Sequence, residues 1–95
     1  MMTLVLSPRQ IELARHALGL PNGRRRSYRN HFCCGPGHTD FEEWQAMRDA
    51  GTARRFKPTA LSDGNFMFLL TEAGARAALR RGETLDPEDF PKAVA

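Results

Sequence analysis

The chain has 95 residues, of which 41% are hydrophobic and 26% are charged, and its formal net charge at pH 7 is +3. This length allows one domain with a single modest core, and the composition excludes a disordered chain. No apolar run approaches the about 20 residues that cross a bilayer, and the first residues lack the basic region of a secretory signal, so we expect a cytoplasmic protein without membrane contact.

The first predicted element is a helix that begins after Ser7. Ser7 is a preferred N-cap residue, Pro8 suits the first helical position, and Gln10 completes a capping box. Apolar residues then recur at helical spacing as far as Leu18, and Gly19 is the residue type that commonly ends a helix.

The next segment, residues 21–38, carries four arginines and no acidic residue. An Asn-Gly pair near its start predicts a turn. Tyr28 and Phe32 are four residues apart, so a short helix capped by Ser27 would bury both rings on one side as core anchors. A Gly-Pro-Gly sequence then interrupts the chain.

A second helix is predicted from residue 40 to residue 50, with Thr39 or Asp40 as its N-cap and Gly51 as the residue that follows its end. Its apolar stripe consists of Phe41, Trp44, Met47 and Ala50. The helix also carries four acidic residues against one arginine, and these acids are Asp40, Glu42, Glu43 and Asp49.

Residues 52–58 and 65–70 are strand-like and flank a segment rich in turn-forming residues, which predicts a two-stranded antiparallel hairpin. Thr71 is the expected N-cap of a third helix that runs to Gly82, with two arginines in its last turn. The expected fold is therefore α+β, with three main helices and a two-stranded hairpin.

We expect a single domain over residues 1–82 and an acidic, proline-containing C-terminal tail over residues 83–95. The tail has four acidic residues, one lysine and two prolines, a composition that disfavours a helix. Leu85 or Phe90 would hold the tail against the domain.

Residues 41–79 resemble the latter half of winged-helix domains. The helix that ends in Ala50-Gly51, the apolar second strand, and the LTEAG sequence at residues 70–74 occur in this order in many bacterial regulators. The resemblance implies a small winged-helix-like domain whose hairpin is the wing. The whole chain also resembles small proteins encoded by phages and prophages, which implies a phage or prophage accessory protein.

The function that this pattern favours is binding through the basic loop and the wing. Arginine and tyrosine side chains together can hold phosphates, stack on a base or contact an acidic protein surface. We therefore expect a non-enzymatic intracellular interaction module that binds nucleic acid or a nucleoprotein, the alternative for the loop being a solvated connector. The expected contact residues are Arg24, Arg25, Arg26, Tyr28, Arg29, Asn30, His31, Arg54, Arg55 and Lys57.

A second possible function is a protein-only adaptor or inhibitor that uses the acidic helix at residues 40–50 against a host protein. The acids would repel a polyanion, which argues against standard major-groove reading by this helix. The same acids near a helix N-terminus also stabilise the helix without any partner.

A third possibility is a zinc- or thiol-dependent activity at His31, Cys33, Cys34 and His38. These ligands are more crowded than the two separated pairs of a usual structural zinc site. No oxyanion hole or orienting acid accompanies the thiols. We therefore expect no cofactor, no metal and no catalytic residue.

Overall fold

A computed structural model describes residues 6–56 and 65–90 of the chain. These residues form three helices and three strands, in the order α1 (Pro8–Leu18), β1 (Phe32–Cys34), α2 (Phe41–Asp49), β2 (Ala53–Phe56), β3 (Phe66–Leu70) and α3 (Glu72–Ala78). The predicted α+β class with three helices is confirmed. The predicted turn over residues 58–64 lies outside the described residues. No helix within the described ranges has the length and apolar character needed to cross a membrane.

The strands form one antiparallel sheet in which β3 lies between β1 and β2. Phe68 of β3 is opposite Phe32 of β1 on one side and Arg55 of β2 on the other. The sheet therefore has one strand more than the predicted two-stranded hairpin. The extra strand, β1, comes from the segment that precedes α2.

The short helix predicted around Tyr28 and Phe32 is wrong, because this segment is extended and continues into β1. The Asn30 side chain replaces a backbone pair at the end of the strand. Its Oδ1 accepts from the backbone N–H of Leu70 at 2.8 Å, and its Nδ2 donates to the Leu70 carbonyl at 3.1 Å. The backbone N–H of His31 also donates to a carbonyl of α1, at 3.3 Å. A helix here would lose these long-range bonds.

The core lies between the helices and one face of the sheet. Trp44 of α2 stacks on Phe68 with ring centroids 5.6 Å apart, and the half-buried Phe32 lies 5.2 Å from the same indole. Trp44 and Met47 are fully buried, as the apolar stripe predicts, whereas Ala50 is exposed. Ala50 is the C-cap residue and follows the last residue of α2.

The helix starts follow local capping chemistry. Ser7 and Gln10 form the predicted capping box at the start of α1, and Gly19 ends that helix in the left-handed conformation at φ 80°. Thr71 accepts from the backbone N–H of Gly74 at the start of α3, as predicted. Asp40 precedes α2 but makes no side-chain cap bond, because its carboxylate pairs with a side chain of α1.

The prediction that α3 reaches Gly82 is wrong, since the helix ends at Ala78 and Leu79 is extended with ψ 144°. Two arginines expected in the last turn, Arg80 and Arg81, therefore lie beyond the helix. The reason is the position of Glu83, whose carboxylate accepts from the backbone N–H of Arg80 at 2.6 Å. The chain has to leave the helix early to place this carboxylate.

Residues 83–90 lie against the body of the protein. Glu83 pairs with Arg15 of α1, with a 2.7 Å bond between Oε2 and Nη2, and the two side chains are only 8% and 5% exposed. Phe90 is buried in the main core, with Leu85 half-buried against it. The division of the chain into a domain over residues 1–82 and a tail stays a prediction.

Candidate functional site

Residues 22–29, which we call the basic loop, are organised by the side chain of Asn22. Its Oδ1 accepts from the backbone N–H of Arg24 at 3.0 Å, and its Nδ2 donates to the carbonyl of Arg26 at 2.8 Å. Arg25 between them has a positive φ of 54°. The amide therefore holds both sides of the turn, and the three arginine residues are all exposed.

A second anchor joins the basic loop to the segment that follows Gly82. The backbone N–H of Ser27 donates to the carbonyl of Thr84 at 3.0 Å, and the N–H of Thr84 donates to the carbonyl of Arg25 at 2.9 Å. The Ser27 hydroxyl is buried and accepts from the N–H of Asp86 at 2.9 Å. The loop is therefore held at both ends rather than only solvated.

A cavity opens beside the basic loop, with Arg24, Arg26 and Tyr28 in its lining and one carboxylate, that of Asp86. The Arg26 guanidinium lies 3.5 Å from that carboxylate and remains half-exposed. Two guanidinium groups against one carboxylate leave the cavity with an excess of positive charge. Guanidinium donors beside an aromatic ring are the groups that hold a phosphate and an unstacked base.

Tyr28 is exposed, so the prediction that it anchors the core is wrong. Its side chain is 61% exposed, and the ring lies over Gly19, where an added Cβ would overlap it. The Arg29 guanidinium lies 5.3 Å from the ring centroid and also donates to the carbonyl of His16 at 2.7 Å. Arg29 therefore caps the C-terminal end of α1 and also makes a cation–π contact with the ring.

Asn30 and His31 differ in what they offer a ligand. Both polar atoms of the Asn30 amide are bonded to the backbone of Leu70, so this predicted contact residue has a structural role. His31 is exposed and lies in a shallow cavity whose lining includes Arg29 and Cys33. The surface next to the basic loop thus continues through His31 to the edge strand β1.

Two of the predicted contacts of the wing lie on opposite faces of the sheet, because they are neighbouring residues of β2. Arg55 lies on the core side of the sheet, where its guanidinium is 4.8 Å from the ring centroid of Phe66 and donates to Gln45 at 2.9 Å. Arg54 is exposed on the opposite face. The third predicted contact, Lys57, lies outside the described residues.

The opposite face of the sheet carries apolar side chains that remain exposed. We call this surface the open face, and its residues are Cys33, Arg54, Phe56, Met67 and Leu69. Phe56 and Met67 were not among the predicted site residues. A signal was present in β3, where apolar residues occupy both faces of the strand, but the pattern could not show which face the helices cover.

The four residues considered for zinc or thiol chemistry do not form one cluster. His31 and Cys33 line one cavity, whereas Cys33, Cys34 and His38 line another, in which the Nδ1 of His38 accepts from the backbone N–H of Asp40 at 3.0 Å. Cys33 is exposed on the open face and Cys34 is buried on the core face, because neighbouring residues of a strand point to opposite sides. Burial raises the pKa of the Cys34 thiol to about 11, which keeps it protonated. The described part of the chain contains no group of three or more side chains that could hold a metal ion.

Three of the four acidic residues of the predicted helix 40–50 have intramolecular partners within the described part of the chain. Asp40 pairs with Arg9 of α1 at 2.6 Å, and Glu43 accepts from the side chain of Gln10 at 3.2 Å. Asp49 is bonded to the neighbouring arginine, Arg48. The carboxylates of Asp40 and Glu43 hold α2 against α1 and are less available to a partner than the sequence indicates, whereas Glu42 and Asp49 are exposed.

A scan against protein-family models and searches of curated proteins and solved structures found no match to this chain.

Proposed function

We propose that the protein is a non-enzymatic intracellular interaction module, a phage or prophage accessory protein, that binds nucleic acid or a nucleoprotein through the basic loop. The observation that carries this proposal is the anchored turn in which Arg24, Arg25 and Arg26 are all exposed. Guanidinium groups pair well with phosphates, and a loop that is already ordered loses less conformational entropy on binding.

We also propose that the domain is winged-helix-like. This proposal is supported by the antiparallel pair of β2 and β3 and by the helix that Thr71 caps directly after them. The helix before this pair, α2, carries acids and would be repelled from the major groove. The proposed contacts are therefore to phosphates, which position a protein on nucleic acid without reading its sequence.

The protein-only alternative at α2 has less support. An acidic surface for a basic partner needs carboxylates that are free to change partners, whereas Asp40 and Glu43 are bonded to α1. Breaking those bonds to bind a partner would offset part of the binding energy. This alternative nevertheless makes a distinct prediction, namely no binding to nucleic acid even at low salt.

A salt series with matched variants tests the proposal. The loop variant carries Arg24→Ala, Arg25→Ala and Arg26→Ala, and the control variant carries Arg76→Ala, Arg80→Ala and Arg81→Ala, so that both lose three positive charges. Binding to a short duplex and to a single strand of the same sequence is measured from low to high salt. Each arginine that contacts a duplex phosphate contributes about 0.9 to the slope of log affinity against log salt.

The expected result is a steep salt dependence for the wild type, a shallower slope and weaker binding for the loop variant, and a much smaller change for the control variant. Equal losses in both variants would show that only the net charge matters. No binding by the wild type at low salt would overturn the proposal and favour a protein partner.

A further inference from the structure

The open face is an uncovered side of the sheet. The helices pack on the other side, where Cys34, Phe68 and Leu70 are at most 3% exposed. In the described ranges, three large hydrophobic side chains are exposed, and two of them, Phe56 at 49% and Met67 at 43%, lie on the open face. An exposed apolar surface with a charged residue on it is typical of an interaction site.

The strand register places these side chains next to one another. Met67 on the central strand is opposite Cys33 on one side and Phe56 on the other, so the three form a row across the sheet. Arg54 is opposite Leu69 in the next row. Neighbouring strands are about 4.8 Å apart, so the row from β1 to β2 spans about 10 Å.

The charge of this surface fits an anionic occupant. The five side chains of the open face include the exposed Arg54 and no carboxylate. At the β1 edge, Cys33 shares a cavity with Arg29 and His31, and the chain leads from there directly back to the basic loop. A polyanion that contacts the loop can therefore continue over β1 onto the sheet.

The rings distinguish a single strand from a duplex. Phe56 is half-exposed on the open face, and Tyr28, in the basic loop, is 61% exposed. Unpaired bases stack on exposed aromatic side chains, whereas a duplex hides the faces of its bases in its own stack. A ring beside an arginine on an open sheet suits an unpaired base and its phosphate.

We propose that the open face and the basic loop together bind single-stranded nucleic acid, with Phe56 as a stacking platform for an unpaired base. This inference rests on the proposed function, because the basic loop supplies the phosphate contacts, and it adds the class of ligand. DNA and RNA single strands share this chemistry and are separated by experiment.

Fluorescence anisotropy with the full chain tests the inference. The probes are an oligodeoxyuridylate of about 12 nucleotides, which lies within the range of known site sizes, an oligouridylate of equal length, and a duplex of equal length. The variants are Phe56→Leu, which keeps an apolar side chain but removes the ring, and Phe56→Tyr, which keeps the ring. Both replace a half-exposed side chain, and the thermal unfolding midpoint of each is measured as a check on folding.

We expect the wild type to prefer a single strand to the duplex, even though the duplex has the denser phosphate charge. Phe56→Leu should weaken single-strand binding about fivefold or more, the loss that goes with one stacked base, and leave duplex binding unchanged. Phe56→Tyr should retain the wild-type affinity. The ratio of oligodeoxyuridylate to oligouridylate affinity assigns DNA or RNA, because these two probes differ only in the sugar.

Other outcomes separate this inference from the proposed function. If the loop variant weakens binding but Phe56→Leu does not, the proposed function stands and the role of the open face is excluded. If the wild type binds no nucleic acid, both are overturned. If sedimentation shows a wild-type dimer that Phe56→Leu dissociates, the open face binds a second copy of this chain and the inference is wrong.

Discussion

Gly74 lies in the first turn of α3, directly against the backbone of Thr52. A Cβ at this position would overlap the carbonyl oxygen of Thr52. That same carbonyl accepts from the N–H of Thr71 at 3.1 Å, so it cannot move away without losing a bond to the start of α3. The glycine of the LTEAG sequence is thus explained by close packing of two backbones.

At this scale we predict that Gly74→Ala destabilises the protein. Alanine is the better helix former by about 1 kcal/mol. Overpacking costs about 1–3 kcal/mol, and an overlap with a fixed backbone atom belongs at the upper end of that range, so the free energy of unfolding should fall by about 2 kcal/mol. Denaturant titration measures the change. Gly37→Ala is the control, because an added Cβ there meets nothing within 4 Å. A Gly74→Ala protein as stable as the wild type would contradict the packing described.

Single residues were predictable where their partners are close in the sequence. The bonds of Ser7 and Thr71 to the helices that follow them span three residues, and both were predicted. Tyr28 was not, because the surface that would bury or expose it is made by other elements. Its ring lies over the end of α1, nine positions earlier, instead of entering the core.

The strand β1 shows how a long-range partner determines an element. The sequence from Ser27 to Cys34 has no strong preference, and the spacing of Tyr28 and Phe32 favours a helix. The free edge of β3 provides backbone partners for an extended chain, and the amide of Asn30 adds two bonds to Leu70. A short element of weak propensity adopts the conformation that its neighbour can pair with.

We predict that Asn30→Ala weakens this edge of the sheet. The N–H and carbonyl of the buried Leu70 would lose their partners, and an unsatisfied buried group costs about 1–3 kcal/mol. Hydrogen exchange of the Leu70 amide should accelerate, and the free energy of unfolding should fall. Gln45→Ala serves as the control, because it removes an amide bonded to the exposed Arg55. Unchanged protection of Leu70 would mean that Asn30 does not extend the sheet.

At the scale of the whole molecule, the ion pair of Arg15 and Glu83 joins residues that are 68 positions apart. Both side chains are almost fully buried, and Arg15 also donates to the carbonyl of Ala78 at 3.0 Å. The hydrogen bond from Arg15 lowers the pKa of Glu83 from 4.5 to about 2. The same bond raises the pKa of Arg15 above its ordinary value.

The ion pair of Arg15 and Glu83 should make the free energy of unfolding depend on pH over a defined acidic range. Because the pKa of Glu83 is lowered by folding, its contribution is fully present above about pH 4.5 and is lost as the pH falls towards about 2. We expect Glu83→Gln to lower the free energy of unfolding at pH 7 by about 3 kcal/mol, since it leaves a buried guanidinium without its counter-charge. The difference from the wild type should shrink as the pH falls through this window.

Glu72→Gln provides the matched control for that substitution. Glu72 pairs with Arg76 at 3.6 Å, but both side chains are about half-exposed, at 46% and 56%. Such surface pairs contribute at most about 1 kcal/mol. Urea titrations of the wild type and both variants from pH 7 down to acid give the comparison. If Glu83→Gln lowers the free energy of unfolding no more than Glu72→Gln does, the buried pair does not stabilise the contact between α1 and the segment that contains Glu83.

By itself, the sequence determined the α+β class, the start of each helix, and the exposure of Arg24, Arg25 and Arg26. These features depend on capping, on periodicity and on charge, which act over a few neighbouring positions. The sequence did not show that Asp40 makes no cap bond. The tertiary structure alone decided the third strand, the early end of α3, the structural role of Asn30 and the presence of an open face. Their partners lie 32 to 68 positions away, and a strand pattern cannot show which face is covered until the helices have packed.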